Sequence, residues 1–163
     1  MSDRTTGDQP ASSASPDTGN DSSATKPELE PLDEAECLRL ISPGGIGRLA
    51  YHGRFGLTVL PLNYRLFEGT IVFRTAQDSY TDSDLRTGIE NAEYRVAFEI
   101  DEVDLAAREG WSVLIQGSAH HVDSAAERAA VVGAGVEPWP GGVRELFLRI
   151  IPTRITGRRI RRG

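Results

Sequence analysis

The sequence predicts a mainly β domain with short helices, built as an antiparallel barrel of six strands rather than a parallel sheet. Three observations carry this. About six strand-like stretches follow one another as a meander punctuated by turn residues. Helical patterns are few and short. Strands do not alternate regularly with helices, and no G-x-G-x-x-G or P-loop lysine follows a strand.

The first 27 residues are dominated by Ser, Thr, Asp, Gly, Pro and Ala and contain no aromatic. They cannot bury enough surface to offset the entropy of ordering them, so residues 1–30 are expected to be a disordered tail and residues 31–163 the barrel. A secretory signal needs an apolar central run, which is lacking here. No later stretch approaches the roughly 18 apolar residues of a membrane span. A soluble, cytoplasmic protein with no membrane partner is expected.

Asp33 begins an acidic variant of the capping box, with Glu36 three residues on, and Cys37, Leu38, Leu40 and Ile41 fit one face of a short helix. Pro43-Gly44-Gly45 ends it. Residues 46–52 and 57–66 form a predicted hairpin around Gly53-Arg54-Phe55-Gly56, and Phe67-Glu68-Gly69 turns the chain into a third strand at 70–75. Residues 76–91 are polar and turn-like, with a short helix expected near 83–89. Strands follow at 94–101 and 111–122, then an Ala-rich helix at 123–132 capped by Asp123 or Ser124. A last strand runs over 145–151 and is extended past Pro152 by residues 153–160.

The net charge of -6 is concentrated in the tail, where six acids face Arg4 and Lys26, so the remainder is nearly balanced. The single cysteine, Cys37, excludes an internal disulfide and a Cys-rich zinc site, and its apolar neighbours favour a buried thiol. Lys26 is the only lysine. The folded part therefore cannot form a Schiff base with pyridoxal phosphate, and any phosphate must be held by arginine, hydroxyls or backbone N–H groups.

Six motifs then occur in order: Gly47-Arg48-Leu49-Ala50, Leu60-Pro61-Leu62-Asn63-Tyr64, Phe73-Arg74-Thr75, Val96-Ala97-Phe98-Glu99-Ile100-Asp101, Gly110-Trp111-Ser112-Val113 and Arg154-Ile155-Thr156-Gly157-Arg158-Arg159. In order and spacing they resemble the pyridoxamine 5'-phosphate oxidase-like flavin-binding proteins of the split-barrel superfamily, over residues 32–161. The resemblance implies a six-stranded split barrel that works as a homodimer, with FMN in each of two grooves between protomers. The expected cofactor-binding residues are Pro61, Asn63, Tyr64, Arg74, Thr75, Ser79, Trp111, Ser112, Trp139 and Arg144.

The chemistry of these residues suits such a ligand. Arg74 offers a guanidinium fork and Thr75 a hydroxyl at a strand end, a pairing that suits a terminal phosphate; the alternative is a surface arginine paired with Asp78 or Glu99. Pro61 belongs at a sheet edge or bulge, where freed backbone groups and the Asn63 amide can meet the polar rim of a flavin, or where proline simply protects the edge. Trp111 and Ser112 open a strand, where the indole covers either a cofactor or the barrel core. Trp139, between two prolines and just before Arg144, is a candidate lid.

One stretch departs from the family. FMN-binding members commonly follow the Arg-Thr pair with Gly-x-Lys, whose lysine contacts the phosphate. Here residues 76–84 contain no lysine and three acids, Asp78, Asp82 and Asp84, which desolvated would repel a phosphate. Ser79, Thr81 or Ser83 can donate instead, and Arg86 can supply the charge. A deazaflavin coenzyme is therefore an alternative to FMN, and haem a more distant one.

The expected function is a flavin-dependent oxidoreductase of unknown substrate. Its alternatives are a deazaflavin-dependent reductase, a non-catalytic flavin-binding or regulatory protein, and a barrel that has lost its ligand. No side chain is an evident acid, base or nucleophile, so no catalytic residue is named. No metal site is expected, because His120 and His121 project to opposite faces of one strand. The arginines at 158–162 are expected to decorate an exposed strand face. With the domain not basic overall and no aromatic interleaved, no nucleic-acid partner is expected.

Overall fold

The computed structural model describes residues 28–86, 94–137 and 143–161. The tail as far as residue 27, Trp139 and Arg162 lie outside the described residues. In chain order the elements are β1 (Glu28–Leu32), α1 (Glu34–Ile41), β2 (Gly44–Gly53), β3 (Gly56–Phe67), β4 (Thr70–Thr75), α2 (Tyr80–Leu85), β5 (Tyr94–Asp104), β6 (Glu109–His121), α3 (Ala125–Val132) and β7 (Leu146–Arg161).

Neighbouring strands pair in the order β1-β7-β4-β3-β2-β5-β6, and β6 returns to pair with β7. Strands β2 to β7 thus close into a six-stranded antiparallel ring, and β1 is an added strand on the far half of β7. That addition corrects the tail boundary. Glu28, Leu29 and Glu30, expected in the tail, pair with Arg161, Ile160 and Arg159. Their order comes from ladder bonds to a distant strand, which a short acidic stretch before Pro31 does not announce.

The turn chemistry accounts for most boundaries. Asp33 Oδ1 accepts from Glu36 N at 2.8 Å and caps α1. Glu68 and Gly69 both have positive φ, 49° and 72°, as a two-residue primed hairpin requires. Asp104 Oδ1 accepts from the N–H groups of Ala106 and Ala107, each at 2.9 Å, and closes a β5–β6 hairpin longer than the alternation suggested. The helix expected near residues 83–89 begins earlier, at Tyr80, because Ser79 Oγ accepts from Asp82 N at 3.1 Å.

Strand β7 runs through Pro152 without a break. The partner of Gln116 is Arg154 and that of Gly117 is Pro152, so Thr153 is the extra residue of a bulge. Its hydroxyl donates to Gln116 O at 3.1 Å. The terminal arginines split by side. Arg158 is exposed, whereas Arg159 turns inward and donates to Glu36 Oε1 at 2.7 Å.

The barrel interior holds Leu49, Phe73, Phe98, Val113, Ile115, Leu148 and Ile150, with Cys37 and Ile41 of α1 in the same cluster. Full burial of each such side chain contributes about 1.5–3 kcal/mol. Gly47 and Gly157 permit close packing: a Cβ at the first would strike the Phe98 ring, and at the second the Cys37 sulfur. A second, outer cluster joins Val72 and Phe147 to Val122, Val131 and Val136, so α3 and the loop after it cover the outside of β4 and β7. Among the described residues, no helix is long and apolar enough to cross a membrane.

Candidate functional site

Strands β3 and β4 are paired only from Tyr64↔Phe73 to the hairpin at Phe67↔Thr70. Beyond that point they diverge. Residues 56–63 of β3 pair with β2 alone, and Arg74 and Thr75 of β4 with β7 alone. Pro61 lies on this open edge, where its missing N–H breaks no ladder; the β2–β3 register there is continuous, so an edge and not a bulge accommodates it.

A cavity of about 380 Å³ fills the divergence, within the range of small-ligand sites. Six expected site residues line it together: Pro61, Asn63, Arg74, Thr75, Ser79 and Arg144. Its apolar wall comes from Ile46, Leu60, Leu62 and Phe73. Ile46, opposite Asn63 in the register, was not among the expected residues. Its signal was an apolar side chain on the same strand face as Arg48.

Arg74 has donor capacity left over. Its guanidinium carbon lies 5.0 Å from the Phe147 ring centroid, and Nη1 reaches Val136 O at 3.5 Å, the limit of a hydrogen bond. Its Nε is buried with no partner. The alternative pairing with Asp78 or Glu99 is not formed, since Glu99 binds Arg48 at 2.9 Å. Thr75 Oγ1 and Ser79 Oγ lie 2.9 Å apart on the same wall.

No acid of the following loop lines the cavity, and two of the three are engaged elsewhere. Asp82 is buried; its Oδ2 accepts from Asp78 N at 2.9 Å, and its Oδ1 from Arg86 Nη2 at 2.9 Å and His121 Nε2 at 2.7 Å. Burial alone would raise this carboxyl, but the bonds from Asp78 N–H, Arg86 and His121 outweigh it and hold the group below the usual carboxylate range. Asp84 accepts from Arg54 Nε at 2.7 Å. Only Ala76, Ser79 and Thr81 of this loop line the cavity, so its wall presents hydroxyls, not carboxylates. Arg86, expected as a replacement cation, is spent on Asp82.

Of the other expected residues among those described, none lines this cavity. Tyr64 faces the core: its ring meets Phe98 edge-on at 5.3 Å and its hydroxyl donates to Ile41 O at 2.8 Å. Burial pushes that phenol up to about 12. Trp111 and Ser112 line a second cavity of about 540 Å³, between β1, the β5–β6 hairpin and the end of β7. Arg158 Nε reaches Ser112 Oγ there at 3.4 Å, and Leu29, Val103, Leu105 and Ile160 give it an apolar surface. His120 pairs with Glu127 at 3.1 Å and His121 with Asp82, so the two imidazoles serve different carboxylates.

The family model described as pyridoxamine 5'-phosphate oxidase matches residues 33–159. An uncharacterized protein of Mycobacterium tuberculosis is 29% identical over 133 residues, covering 82% of this chain and 86% of that protein. Among solved structures, the FAD binding protein from Mycobacterium smegmatis has a TM-score of 0.66 and 30% identity, covering 81% of this chain and all (100%) of that one. A FAD-binding protein from Mesorhizobium loti, 19% identical with a TM-score of 0.65, covers 83% of this chain and 98% of its own; it bears on the fold alone.

Proposed function

Because the chain belongs to the pyridoxamine 5'-phosphate oxidase family, we propose that it binds a flavin nucleotide in the cavity between β3 and β4 and serves as a flavin-dependent oxidoreductase. The observation that carries this is Arg74, a guanidinium on the cavity wall with an unpartnered Nε and one long hydrogen bond. The Nε itself is enclosed, so the terminal guanidinium N–H groups, with only the long bond from Nη1 to Val136 O, are what a phosphate in the cavity would engage. Thr75, Ser79 and Thr81 add hydroxyls, while Pro61 and Asn63 on the open edge of β3 meet the polar rim of the ring. In place of the lysine expected by analogy, Asp82 and Asp84 are paired with arginines, which lessens the repulsion.

The bound flavin supplies the redox chemistry; the chain's residues orient it and limit water access. The reading favours FMN or FAD over a deazaflavin coenzyme, since the M. smegmatis relative is named for FAD binding. The active unit is a homodimer with the cofactor at the protomer interface. Two features support that. Eight of the expected cofactor residues fall into two separate cavities, which a two-fold axis can bring together from different copies. Leu57 and Val59 of β3 are 87% and 65% exposed, an apolar face that a second copy would cover.

Native purification followed by an absorbance spectrum and identification of the released chromophore tests this reading. A yellow protein releasing FMN or FAD is expected, with turnover by a reduced nicotinamide separating an enzyme from a flavin carrier. A colourless protein with no affinity for either flavin would reject it.

A further inference from the structure

Between the β2–β3 turn and the start of α2 stands an aromatic ledge to which neither the barrel nor the phosphate wall gives a role. Phe55, in the β2–β3 turn, is 82% exposed, and Tyr80, the first residue of α2, is 68% exposed. They are nonetheless held in place. The two rings meet edge to face with centroids 6.0 Å apart, and the Arg54 guanidinium lies 5.2 Å from the Tyr80 centroid. Arg54 is in turn fixed by Asp84, whose carboxylate is almost buried, at 2.7 Å. Tyr80 does not itself line the cavity, but its two chain neighbours, Ser79 and Thr81, do, so the ledge is tied through α2 to the wall that carries the phosphate donors.

FMN ends at its phosphate. A flavin dinucleotide carries a second phosphate, a ribose and an adenine beyond it. Resting on the flavin reading above, we infer that Tyr80, with Phe55 and Arg54, seats the adenine of FAD, so that the chain binds FAD more tightly than FMN. The chemistry fits: purines stack on aromatic faces and on guanidinium planes, and this ledge offers both in a preorganised cluster. FMN would leave it bare.

The test titrates the full chain, stripped of chromophore, with FAD and with FMN, for the wild type, Tyr80→Ala, Phe55→Ala and Tyr80→Phe. Both aromatics are exposed, so the variants should melt with the wild type, and Tyr80→Phe keeps the stacking face. FAD should bind the wild type more tightly than FMN. Tyr80→Ala should weaken FAD roughly tenfold while leaving FMN nearly unchanged, with a smaller loss for Phe55→Ala. Tyr80→Phe should retain the preference. Equal wild-type affinity for the two flavins, or an unchanged FAD affinity in Tyr80→Ala, would overturn the inference and leave the flavin reading intact. Equal weakening of both flavins with loss of the dimer would overturn it too, making the ledge a contact between copies. Failure of the wild type to bind either flavin removes the flavin reading and this inference together.

Discussion

The two cavities of this barrel differ in what their charged groups are already doing. Around the β3–β4 opening, two of the three loop acids, Asp82 and Asp84, are consumed by Arg54, Arg86, His121 and a backbone N–H, while Arg74 keeps only one long hydrogen bond. Around Trp111, which Arg108 and Arg158 flank, the difference lies in the apolar surface. Asp101 is bound by Arg48 at 2.8 Å, Asp104 closes its own hairpin, and the remaining surface is largely apolar, with Leu105 85% exposed. Unspent donors beside a hollow mark a place where an anion completes the structure. Exposed apolar surface marks a place where another surface does.

Removing the unspent donor should have the largest effect. Arg74→Ala is expected to weaken flavin binding by about 2–3 kcal/mol, on the order of 100-fold, since charge-assisted hydrogen bonds to a phosphate are lost. Arg158→Ala, in the other cavity, should cost far less per protomer. Titration of both variants with the same flavin compares the two regions directly, and an unchanged affinity in Arg74→Ala would remove the phosphate assignment.

The next effect tests how the acids are kept away. Asp82→Asn should lower stability by about 2 kcal/mol, because a buried carboxylate that accepts from Arg86, His121 and Asp78 N–H loses its charge. Since the folded-state carboxyl titrates below its ordinary 3.8, its contribution is complete above that value and is lost as pH falls through the folded one. The wild type should therefore lose stability on acidification below about pH 3.8 more steeply than Asp82→Asn. Urea midpoints measured from pH 6 to 2 give both curves, and parallel curves would show that the Asp82 carboxylate carries no such linkage.

The strand meander and the order of its motifs were legible because alternation and turn residues are local signals. Asp33 and Ser124 were readable as caps for the same reason. What stayed hidden depends on contacts far apart in the chain. The sequence 76–84 looked hostile to a phosphate because its acids could be counted but not aimed; His121, which anchors Asp82, is 39 residues away. Tyr64 shares a motif with Asn63 and was expected beside it, yet successive strand residues face opposite ways and Tyr64 belongs to the core. The edge at Pro61 was foreseen, but the cavity needs β4 to leave β3 at Phe73, which no local pattern encodes.

The smallest effect concerns the apolar cavity. Trp111 is half-buried on β6, opposite Glu102 on one side and Arg159 on the other, and packs against the edge of the barrel cluster while its other side faces the apolar cavity. Trp111→Ala should lower the melting temperature, because packing against the barrel cluster is lost, and should also weaken self-association by about 1–2 kcal/mol, as expected for an aromatic anchor at an interface. Sedimentation over a range of protein concentrations reads that change. If the indole of one copy also completes the flavin site of the other, flavin affinity in this variant becomes dependent on protein concentration, whereas in Arg74→Ala it is low at every concentration. Unchanged association together with unchanged flavin affinity would mean that the Trp111 cavity serves neither the dimer nor the ligand. The β3–β4 opening would then be a site that one copy completes by itself.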